Sequence, residues 1–287
     1  MISIGVIGNG FVGQASCQLN SKNIKVIAYD TRPEACVPIG TTLRDLIETD
    51  VVMISVPTPM NSNGECYTQI VRDVVCELNE LNYKGIILLR STVPVGTSDE
   101  LGVFFMPEFL TEKNFLQDFV CNEEWILGVY RGCSSEKREQ FVMTMNKVFE
   151  TAFSEGSIKS NRVRYVSASE AEMIKMFRNC FLAVKTSFCN EMYQYCKKTN
   201  VDYEKVREFI SSDKRIGPSH TRVPGPDGHF GFGGTCFPKD LSSLCYEMKK
   251  VGCLPYISEA VQKRNETVDR PEKDWKGDKG RAVVDDE

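Results

Sequence analysis

The sequence predicts an α/β protein in which an N-terminal parallel sheet is followed by a mainly helical domain. In the first half, short β-rich runs alternate with helical patterns, which is typical of a parallel sheet covered by helices. Beyond Ser167 the pattern changes to long helices. The predicted domains are therefore residues 1–167, residues 168–267 and a charged end at 268–287, which is expected to be flexible because 12 of its 20 residues are charged.

Apolar runs with the length and composition of buried strands predict six strands in chain order. They are Ile2–Ile7, Lys25–Asp30, Val51–Val56, Gly85–Leu89, Val103–Met106 and Trp125–Tyr130. Helical spacing, and Ser, Asp or Pro at the expected starts, predict the helices. They are Phe11–Asn20, Thr68–Leu81, a helix capped by Ser134 and Ser135 that reaches about Phe149, a long one from Ser169 to about Lys198, and two starting at Asp202 and Pro238 that end near Ser212 and Val251.

The long helix carries an apolar stripe, which consists of Met173, Phe177, Phe181, Val184 and Phe188. Three- and four-residue spacing places these side chains on one face of a helix. Such a stripe predicts core or a helix–helix seam, and a homodimer could form through it near Phe177 and Phe181.

Composition excludes several classes of protein. The 287 residues carry a net charge of −4 without a basic block, so no nucleic-acid partner is expected. No stretch approaches the ~20 apolar residues of a membrane span, and the N-terminus has no secretion signal. The 12 cysteines therefore predict reduced thiols in a cytoplasmic protein. With two histidines and no C-x-x-C pair, no metal site is expected.

A glycine loop follows the first predicted strand and opens the first helix: Gly8-Asn9-Gly10-Phe11-Val12-Gly13. This is the phosphate-binding turn of a Rossmann-like dinucleotide site. Asp30 ends the second strand, where its carboxylate can accept hydrogen bonds from the adenosine ribose. The same carboxylate would repel a 2′-phosphate, so NAD is predicted over NADP, although Arg32 two residues later could attract that phosphate.

Three further loops follow predicted strands, at the sheet edge where open α/β sheets bind ligands. They are Val56-Pro57-Thr58-Pro59, Ser91-Thr92-Val93-Pro94 and Met106-Pro107-Glu108-Phe109-Leu110, the last with Glu112 close behind. Each loop alone could be a proline-stiffened turn. Their shared position favours a site.

On the long helix, Glu172, Lys175 and Asn179 are spaced three and four residues apart and project in similar directions. Periodicity alone favours a solvated face with a Glu172–Lys175 pair.

One cysteine stands apart from the others. Cys236 ends the glycine-rich segment Gly231–Thr235 and precedes a helix whose N-terminus can lower the pKa of a thiol. Lys239 adds positive charge and Asp240 adds a base. Cys236 is therefore the best candidate nucleophile.

Taken in order, these motifs resemble the UDP-glucose/GDP-mannose dehydrogenase family over about residues 1–265. The matching motifs are GNGFVG with Asp30, VPTP, STVPVGT, MPEFL with Glu112, SEAEMIKMFRN and GFGGTCFPKD. The resemblance implies oxidation of a nucleotide-sugar C6 alcohol to a carboxylate with two NAD, through a cysteine thiohemiacetal and thioester. UDP-glucose is the first expected substrate and GDP-mannose the alternative.

The resemblance also implies roles for residues. Cys236 would be the nucleophile, Lys175 with Asn179 would stabilise oxyanions, and Asp240, Glu112 and Thr92 would hold or orient water, with Glu108 near the reacting centre. The implied cofactor contacts are the glycine loop, Asp30, Pro57, Thr58, Thr92, Glu112 and Lys239. The implied substrate contacts are Glu108, Phe109, Leu110, Lys175, Asn179, Arg215, Phe230, Gly231, Gly233 and Cys236.

The chain departs from the family pattern in three places. The segment from Asp30 to Val51 is short, so a helix and a strand are expected to be absent, and Glu34 replaces a lysine usual after the ribose-binding acid. The sequence ends soon after the start of the expected connecting helix, Pro255 to Val268, so the third domain that closes over the nucleotide end of the substrate is not expected. Recognition of UDP would then fall on Lys175, Arg215 and the loop from Pro224 to Gly234.

Two alternatives remain open. A two-electron β-hydroxyacid-type dehydrogenase shares the domain order and the K-x-x-x-N helix, but it needs no thiol. A non-catalytic NAD or nucleotide-sugar binding remnant would need no intact Cys236, Lys175 and Asp240.

Overall fold

The structure, a computed structural model, describes residues 1–284 and divides into two compact units. Unit 1 comprises Met1–Thr58 and Thr68–Lys175, and unit 2 comprises Pro59–Tyr67 and the residues from Met176 onward. The domain boundary predicted between residues 167 and 168 coincides with the start of a helix, and the units divide about two turns later, inside that helix.

Unit 1 is built on a seven-stranded sheet, as expected for an α/β fold. Its strands are β1 (Ile2–Ile7), β2 (Ile24–Tyr29), β3 (Val51–Ile54), β4 (Ile86–Leu89), β5 (Phe104–Phe105), β6 (Trp125–Val129) and β7 (Val163–Ser167). The six predicted strands are all present, and β7 was not predicted. Its residues are half-exposed or exposed, so they lack the continuous apolar run that marks a buried strand.

The strand order is β2-β1-β3-β4-β5-β6-β7, and every neighbouring pair is parallel except β5 and β6. Because β3 pairs directly with β1, the chain passes from one side of β1 to the other between Tyr29 and Val51. The described part of that connection contains two 3₁₀ turns, Pro33–Ala35 and Leu43–Leu46, and no regular strand. The short segment between Asp30 and Val51 was expected to lack a helix and a strand of the family pattern, and the structure agrees with this expectation.

Seven of the helices match predicted helical segments, and the short helices Thr97–Leu101 and Phe115–Val120 were not predicted. In chain order the helices are α1 (Phe11–Ser16), α2 (Gln69–Glu80), α3 (Thr97–Leu101), α4 (Phe115–Val120), α5 (Ser135–Ser154), α6 (Ala168–Lys198), α7 (Tyr203–Ser212), α8 (Phe237–Lys250) and α9 (Tyr256–Arg264). The side chain of Ser134 caps α5 by accepting from the backbone N–H of Lys137 at 3.2 Å, as its position before the helix predicts. In residues 1–284 no helix is long and apolar enough to cross a membrane.

Each face of the sheet has its own apolar core, which explains why β1 is apolar almost throughout. In unit 2 the core forms around Met176, Cys180 and Ala183 of α6 together with Phe232 and Leu241.

The predicted stripe on α6 is therefore not the core face of this helix. Phe177, Phe181 and Phe188 are 61%, 57% and 60% exposed. The prediction of core was wrong because the buried face of α6 uses small side chains and cysteine, which a search for large apolar residues overlooks. Within the chain, the aromatic face of α6 is a solvent-facing surface.

The charged end contributes to unit 2. Trp275 and Ala282 are buried, and the backbone of Met60 bonds to Ala282 and Val284, at 3.0 Å in both cases. The flexibility predicted for residues 268–287 stays a prediction, and residues 285–287 lie outside the described residues.

Candidate functional site

The glycine loop of unit 1 has the geometry that a dinucleotide turn needs. Gly8 has a positive φ of 83°, and a Cβ there would lie 2.7 Å from the carbonyl oxygen of Ser55. A Cβ at Gly13 would lie 2.1 Å from the carbonyl oxygen of Gly8. Gly10 is exposed, and a Cβ there would meet no atom within 4 Å. Gly8 and Gly13 are thus required by the fold, whereas Gly10 leaves space for a phosphate to approach the backbone.

Asp30 lies beside this loop and is already engaged. Its carboxylate accepts from the backbone N–H of Asn9 at 2.7 Å and of Arg32 at 3.0 Å, and it pairs with the Arg32 side chain at 3.1 Å. Partial burial acts to raise the pKa of Asp30, but the hydrogen bonds from Arg32 and Asn9 and the Arg32 charge hold it below its usual value. Asp30 is therefore an ionised acceptor next to the loop, in contact with the exposed guanidinium of Arg32.

The two proline-containing loops after β3 and β4 are joined to each other. The hydroxyl of Thr58 donates to the carbonyl oxygen of Thr92 at 2.7 Å, and the hydroxyl of Ser91 donates to that of Val56 at the same distance. Pro57 is exposed at this edge. The structure thus brings the predicted cofactor residues Pro57, Thr58 and Thr92 to one end of the sheet.

Glu108 and Lys175 form a buried ion pair in unit 1. The second carboxylate oxygen of Glu108 accepts from the backbone N–H of Leu110 at 2.9 Å. Burial acts to raise the pKa of Glu108, but the charge and hydrogen bond of Lys175, the Leu110 N–H and the charge of Arg90 lower it overall. The Lys175 ammonium also lies 6.0 Å from the centre of the Phe109 ring. Glu108 is hence an ionised partner of Lys175.

Arg90 is a buried cation that the sequence reasoning missed. It follows β4 directly, donates to the hydroxyl of Ser16, and lies 5.4 Å from the centre of the Phe119 ring. Burial lowers its pKa to about 10, against the opposing effect of Glu108. A charged residue that directly follows the apolar run Ile86–Leu89 was the available signal.

Glu172 does not pair with Lys175. Its carboxylate accepts from the backbone N–H groups of Gly96 at 2.6 Å and Ser98 at 2.8 Å, at the start of α3. Glu172, Lys175 and Asn179 are all buried, so the expectation of a solvated face is wrong. Periodicity shows which residues share a face, but it does not show what covers that face.

The cysteine loop of unit 2 ends where α8 begins, with Cys236 as the residue that caps the helix. Buried Asp240 shares its carboxylate between the Lys239 ammonium and the Asn179 amide, both at 2.6 Å. Burial acts to lower the pKa of Lys239, but Asp240 and the thiols of Cys66 and Cys236 raise it overall. A charged ammonium near Cys236 favours its thiolate.

Other cysteines have surroundings that suppress reactivity. Burial raises the pKa of Cys17 and of Cys245 to about 11 and that of Cys180 further. No disulfide joins the twelve cysteines, all of which lie in the described residues. Cys236 is half-buried and has Lys239 nearby.

Three of the remaining predicted site residues are exposed, whereas Gly231 is buried and Gly233 is half-buried. Glu112 is exposed, as is Phe230, whose ring centre is 5.6 Å from that of Tyr193. The Arg215 side chain is 89% exposed and pairs with Asp213 at 2.5 Å. Gly231 and Gly233 lie in the cysteine loop of unit 2.

The fold and the glycine loop of unit 1 define a Rossmann-type dinucleotide-binding protein with a helical second unit. Two domain models of one family match the chain: the NAD binding domain of the UDP-glucose/GDP-mannose dehydrogenase family over residues 39–152, and its central domain over residues 169–267. The chain belongs to this family, and NAD is its cofactor.

Named relatives agree with this assignment. The chain is 30% identical to the UDP-glucose 6-dehydrogenase TuaD of Bacillus subtilis, over 93% of this chain and 63% of that protein. It is 33% identical to a UDP-glucose 6-dehydrogenase of Pseudomonas aeruginosa, over 77% of this chain and 49% of that protein. A solved structure of a UDP-glucose dehydrogenase from Pyrobaculum islandicum matches with a TM-score of 0.76 and 25% identity. The match covers 93% of this chain and 68% of that protein. The chain thus spans about half to two thirds of the length of these relatives.

Proposed function

We propose that this chain is an NAD-dependent oxidoreductase that converts the C6 alcohol of a nucleotide sugar, UDP-glucose first, to a carboxylate. The observation that carries the proposal is Cys236 at the start of α8, close to the charged Lys239. A simple alcohol oxidation needs no nucleophilic thiol, whereas oxidation of an aldehyde by hydride loss needs a tetrahedral adduct. The NAD binding domain and this cysteine together support a four-electron reaction.

In the first oxidation, the C6 hydroxyl loses its proton to solvent and C6 loses a hydride, which leaves an aldehyde. Bound NAD supplies the hydride acceptor. We assign to Lys175 the stabilisation of the developing oxygen anion, because its ammonium is buried and its ion pair with Glu108 holds it in place. The open backbone at Gly10 and the ionised Asp30 fit the phosphate and ribose of the cofactor.

In the second oxidation, the Cys236 thiolate forms a bond to the aldehyde carbon and gives a thiohemiacetal. The adduct then loses a second hydride, for which a second NAD would be the acceptor, and becomes a thioester. Water then adds to the thioester, the carbon–sulfur bond breaks, and the carboxylate and the thiolate are released. Asp240, which Asn179 and Lys239 hold in place, is assigned to orient that water. The family resemblance assigns roles with water to Thr92 and Glu112 as well.

We also propose that a second copy of the chain covers the aromatic face of α6. Phe177 and Phe181 are stacked with ring centres 6.3 Å apart, and both are more than half exposed. Exposed apolar patches of this kind mark interaction sites. Light scattering should show a dimer that Phe181→Asp converts to a monomer, and an unchanged dimer would place the interface elsewhere.

The decisive test is to count NADH released per nucleotide sugar consumed. Two NADH per UDP-glucose, with the uronic acid as product, are expected. One NADH with a hydroxyacid substrate would favour a β-hydroxyacid-type dehydrogenase, and no turnover with intact NAD binding would favour a non-catalytic binding protein. GDP-mannose as a parallel substrate tests the choice of sugar nucleotide.

A further inference from the structure

The backbone of the cysteine loop is held by two buried amide side chains of unit 2. Asn265, which is 1% exposed, accepts from the N–H of Phe232 at 2.9 Å and donates to its carbonyl oxygen at 2.8 Å. Asn190 accepts from the N–H of Gly231 at 3.0 Å. Asn265 thus pairs with Phe232 as a neighbouring strand would, and it satisfies both backbone groups of that residue.

A buried guanidinium lies against the next part of the loop. Arg270 is 3% exposed and donates to both carboxylate oxygens of Asp274, at 2.8 and 2.5 Å, and to Asp227 at 2.6 Å. A Cβ at Gly233 would lie 2.5 Å from the central carbon of this guanidinium. Because three hydrogen bonds hold the Arg270 guanidinium, it cannot move away from Gly233 without breaking its ion pairs to Asp274 or Asp227.

The glycines of the loop therefore have an explanation inside the protein. A Cβ at Gly231, whose φ is 65°, would lie 2.2 Å from the Asn265 amide oxygen, just as one at Gly233 would strike Arg270. A glycine-rich loop beside a nucleophile usually indicates close approach of a ligand. Here the buried side chains beneath the loop already require glycine at both positions.

We propose that Asn265 and Arg270 are positioning residues that hold the cysteine loop in the conformation from which Cys236 reacts, and that Gly233 is required by Arg270 and not by a ligand. This rests on the proposed function in so far as Cys236 is the nucleophile. Arg270 lies beyond residues 169–267, the part that matches the family's central domain. The positioning role assigned to Arg270 thus lies outside that part of the chain.

The first test replaces the amide. Asn265→Ala removes both bonds to Phe232, so kcat should fall at least tenfold while the KM for NAD stays within about twofold, because a displacement of about 1 Å can cost ~10²-fold in rate. Arg270→Lys should act in the same direction, since an ammonium cannot make the forked contact to Asp274. Lys273→Ala, which breaks a half-exposed ion pair with Glu266 in the same region of the chain, is the control.

The second measurement needs no substrate. Alkylation of Cys236 by iodoacetamide, followed by peptide mass spectrometry across pH, should change in rate and pH midpoint in Asn265→Ala. Exposed Cys253 serves as an internal reference whose rate stays constant. If the wild-type protein shows no turnover, the proposed function fails while this readout still tests the loop. Unchanged Cys236 alkylation in Asn265→Ala and Arg270→Lys would overturn the positioning role.

The third test is a double-mutant cycle. Gly233→Ala should slow Cys236 alkylation and turnover strongly, because the added methyl meets Arg270. In Gly233→Ala combined with Arg270→Ala the clash is gone, so alkylation should recover to the level of Arg270→Ala alone. A double variant slower than Arg270→Ala alone would show that Gly233 is needed for another reason and would overturn the assignment. Thermal unfolding of each variant identifies any that do not fold. If Asn265→Ala does not fold, Asn265→Asp takes its place.

Discussion

Each unit contains a buried ion pair between a carboxylate and a lysine. Glu108 is paired with Lys175 in unit 1, and Asp240 is paired with Lys239 in unit 2. Against the opposing effect of burial, the Lys175 ammonium lowers the pKa of Glu108, and the Asp240 carboxylate raises the pKa of Lys239. The consequence for the proposed chemistry is that Lys239 is a fixed positive charge near Cys236, and that Glu108 holds the Lys175 ammonium to which the oxygen anion is assigned.

Acid should therefore destabilise the protein through Glu108. Its pKa is lowered in the folded state, so its contribution to stability is present above the unfolded value, about pH 4.5, and is lost as the pH falls through the folded value. Glu108→Gln should cost about 3–5 kcal/mol at pH 7 because Lys175 is left buried without its partner. Chemical unfolding between pH 3 and pH 7 should show a shallower pH dependence in this variant. An equal dependence in both proteins would mean that Glu108 is not the group responsible.

Cofactor choice should depend on Asp30. Its ionised carboxylate favours the ribose hydroxyls and repels a 2′-phosphate, so NAD should be preferred over NADP. Asp30→Ala should weaken NAD binding about tenfold and narrow the gap to NADP, because the Arg32 side chain is then released from its pair. Titration of both cofactors measures this, with Arg32→Ala as the matched control that lowers NADP binding. Equal binding of both cofactors by the unmodified protein would contradict the role of the carboxylate.

Substitutions of Cys236 should affect the two oxidations differently. Cys236→Ala should abolish formation of the uronic acid, while slow reduction of an added aldehyde by NADH persists, because that step needs no adduct. Cys236→Ser should trap an adduct or ester, since an alkoxide is a poorer leaving group than a thiolate. Cys245→Ala, at a buried thiol on the same helix, should leave kcat within about twofold and lower stability only. Full turnover by Cys236→Ala would refute the covalent mechanism.

At the level of elements, local patterns predicted the strands of the sheet and the positions of its ligand-binding loops. The strands β1 and β3 could be predicted because both faces of the sheet are covered, so their sequences are almost continuously apolar. The exposed aromatic face of α6 could not be separated from its buried face by spacing, because Cys180 and Ala183 carry a weak apolar signal. The role of Asn265 depends on its hydrogen bonds to Phe232, more than thirty residues earlier in the chain, and a local sequence pattern cannot predict such a contact.

Helix α3 provides a prediction at this scale. The Glu172 carboxylate accepts two backbone N–H groups at the start of α3, and its removal leaves both donors buried. Glu172→Ala should therefore lower the free energy of unfolding by about 2–4 kcal/mol, from two donors at roughly 1–2 each. Glu172→Gln, which keeps one acceptor oxygen, should cost less. Urea unfolding measures both values, and equal losses in the two variants would exclude the capping role.

At the scale of the whole chain, the two units carry complementary halves of the proposed chemistry. Unit 1 has the glycine loop, Asp30 and the Lys175 pair, and unit 2 has Cys236 and Asp240. The chain covers 63% and 49% of two relatives named UDP-glucose 6-dehydrogenase, and binding of the nucleotide end of the proposed substrate is assigned to Arg215.

Arg215 is the residue on which this binding should depend. Its guanidinium is almost fully exposed, so it is available to the diphosphate of a sugar nucleotide. Arg215→Ala should raise the KM for UDP-glucose about tenfold and leave the KM for NAD within about twofold. Arg222→Ala, an exposed arginine in the same region, is the control for loss of charge alone. An unchanged KM for UDP-glucose would remove Arg215 from the site.

The hydrogen bonds that join the loops after β3 and β4 have a thermodynamic consequence. Thr58 and Ser91 tie the two loops together before any ligand arrives, so this edge of the sheet has little conformational freedom left to lose. A preorganised surface gains affinity because less entropy is spent on ordering it. Calorimetry should then find a heat-capacity change on NAD binding that follows from buried area alone, whereas Thr58→Val, which breaks one tie, should add a contribution from loop ordering.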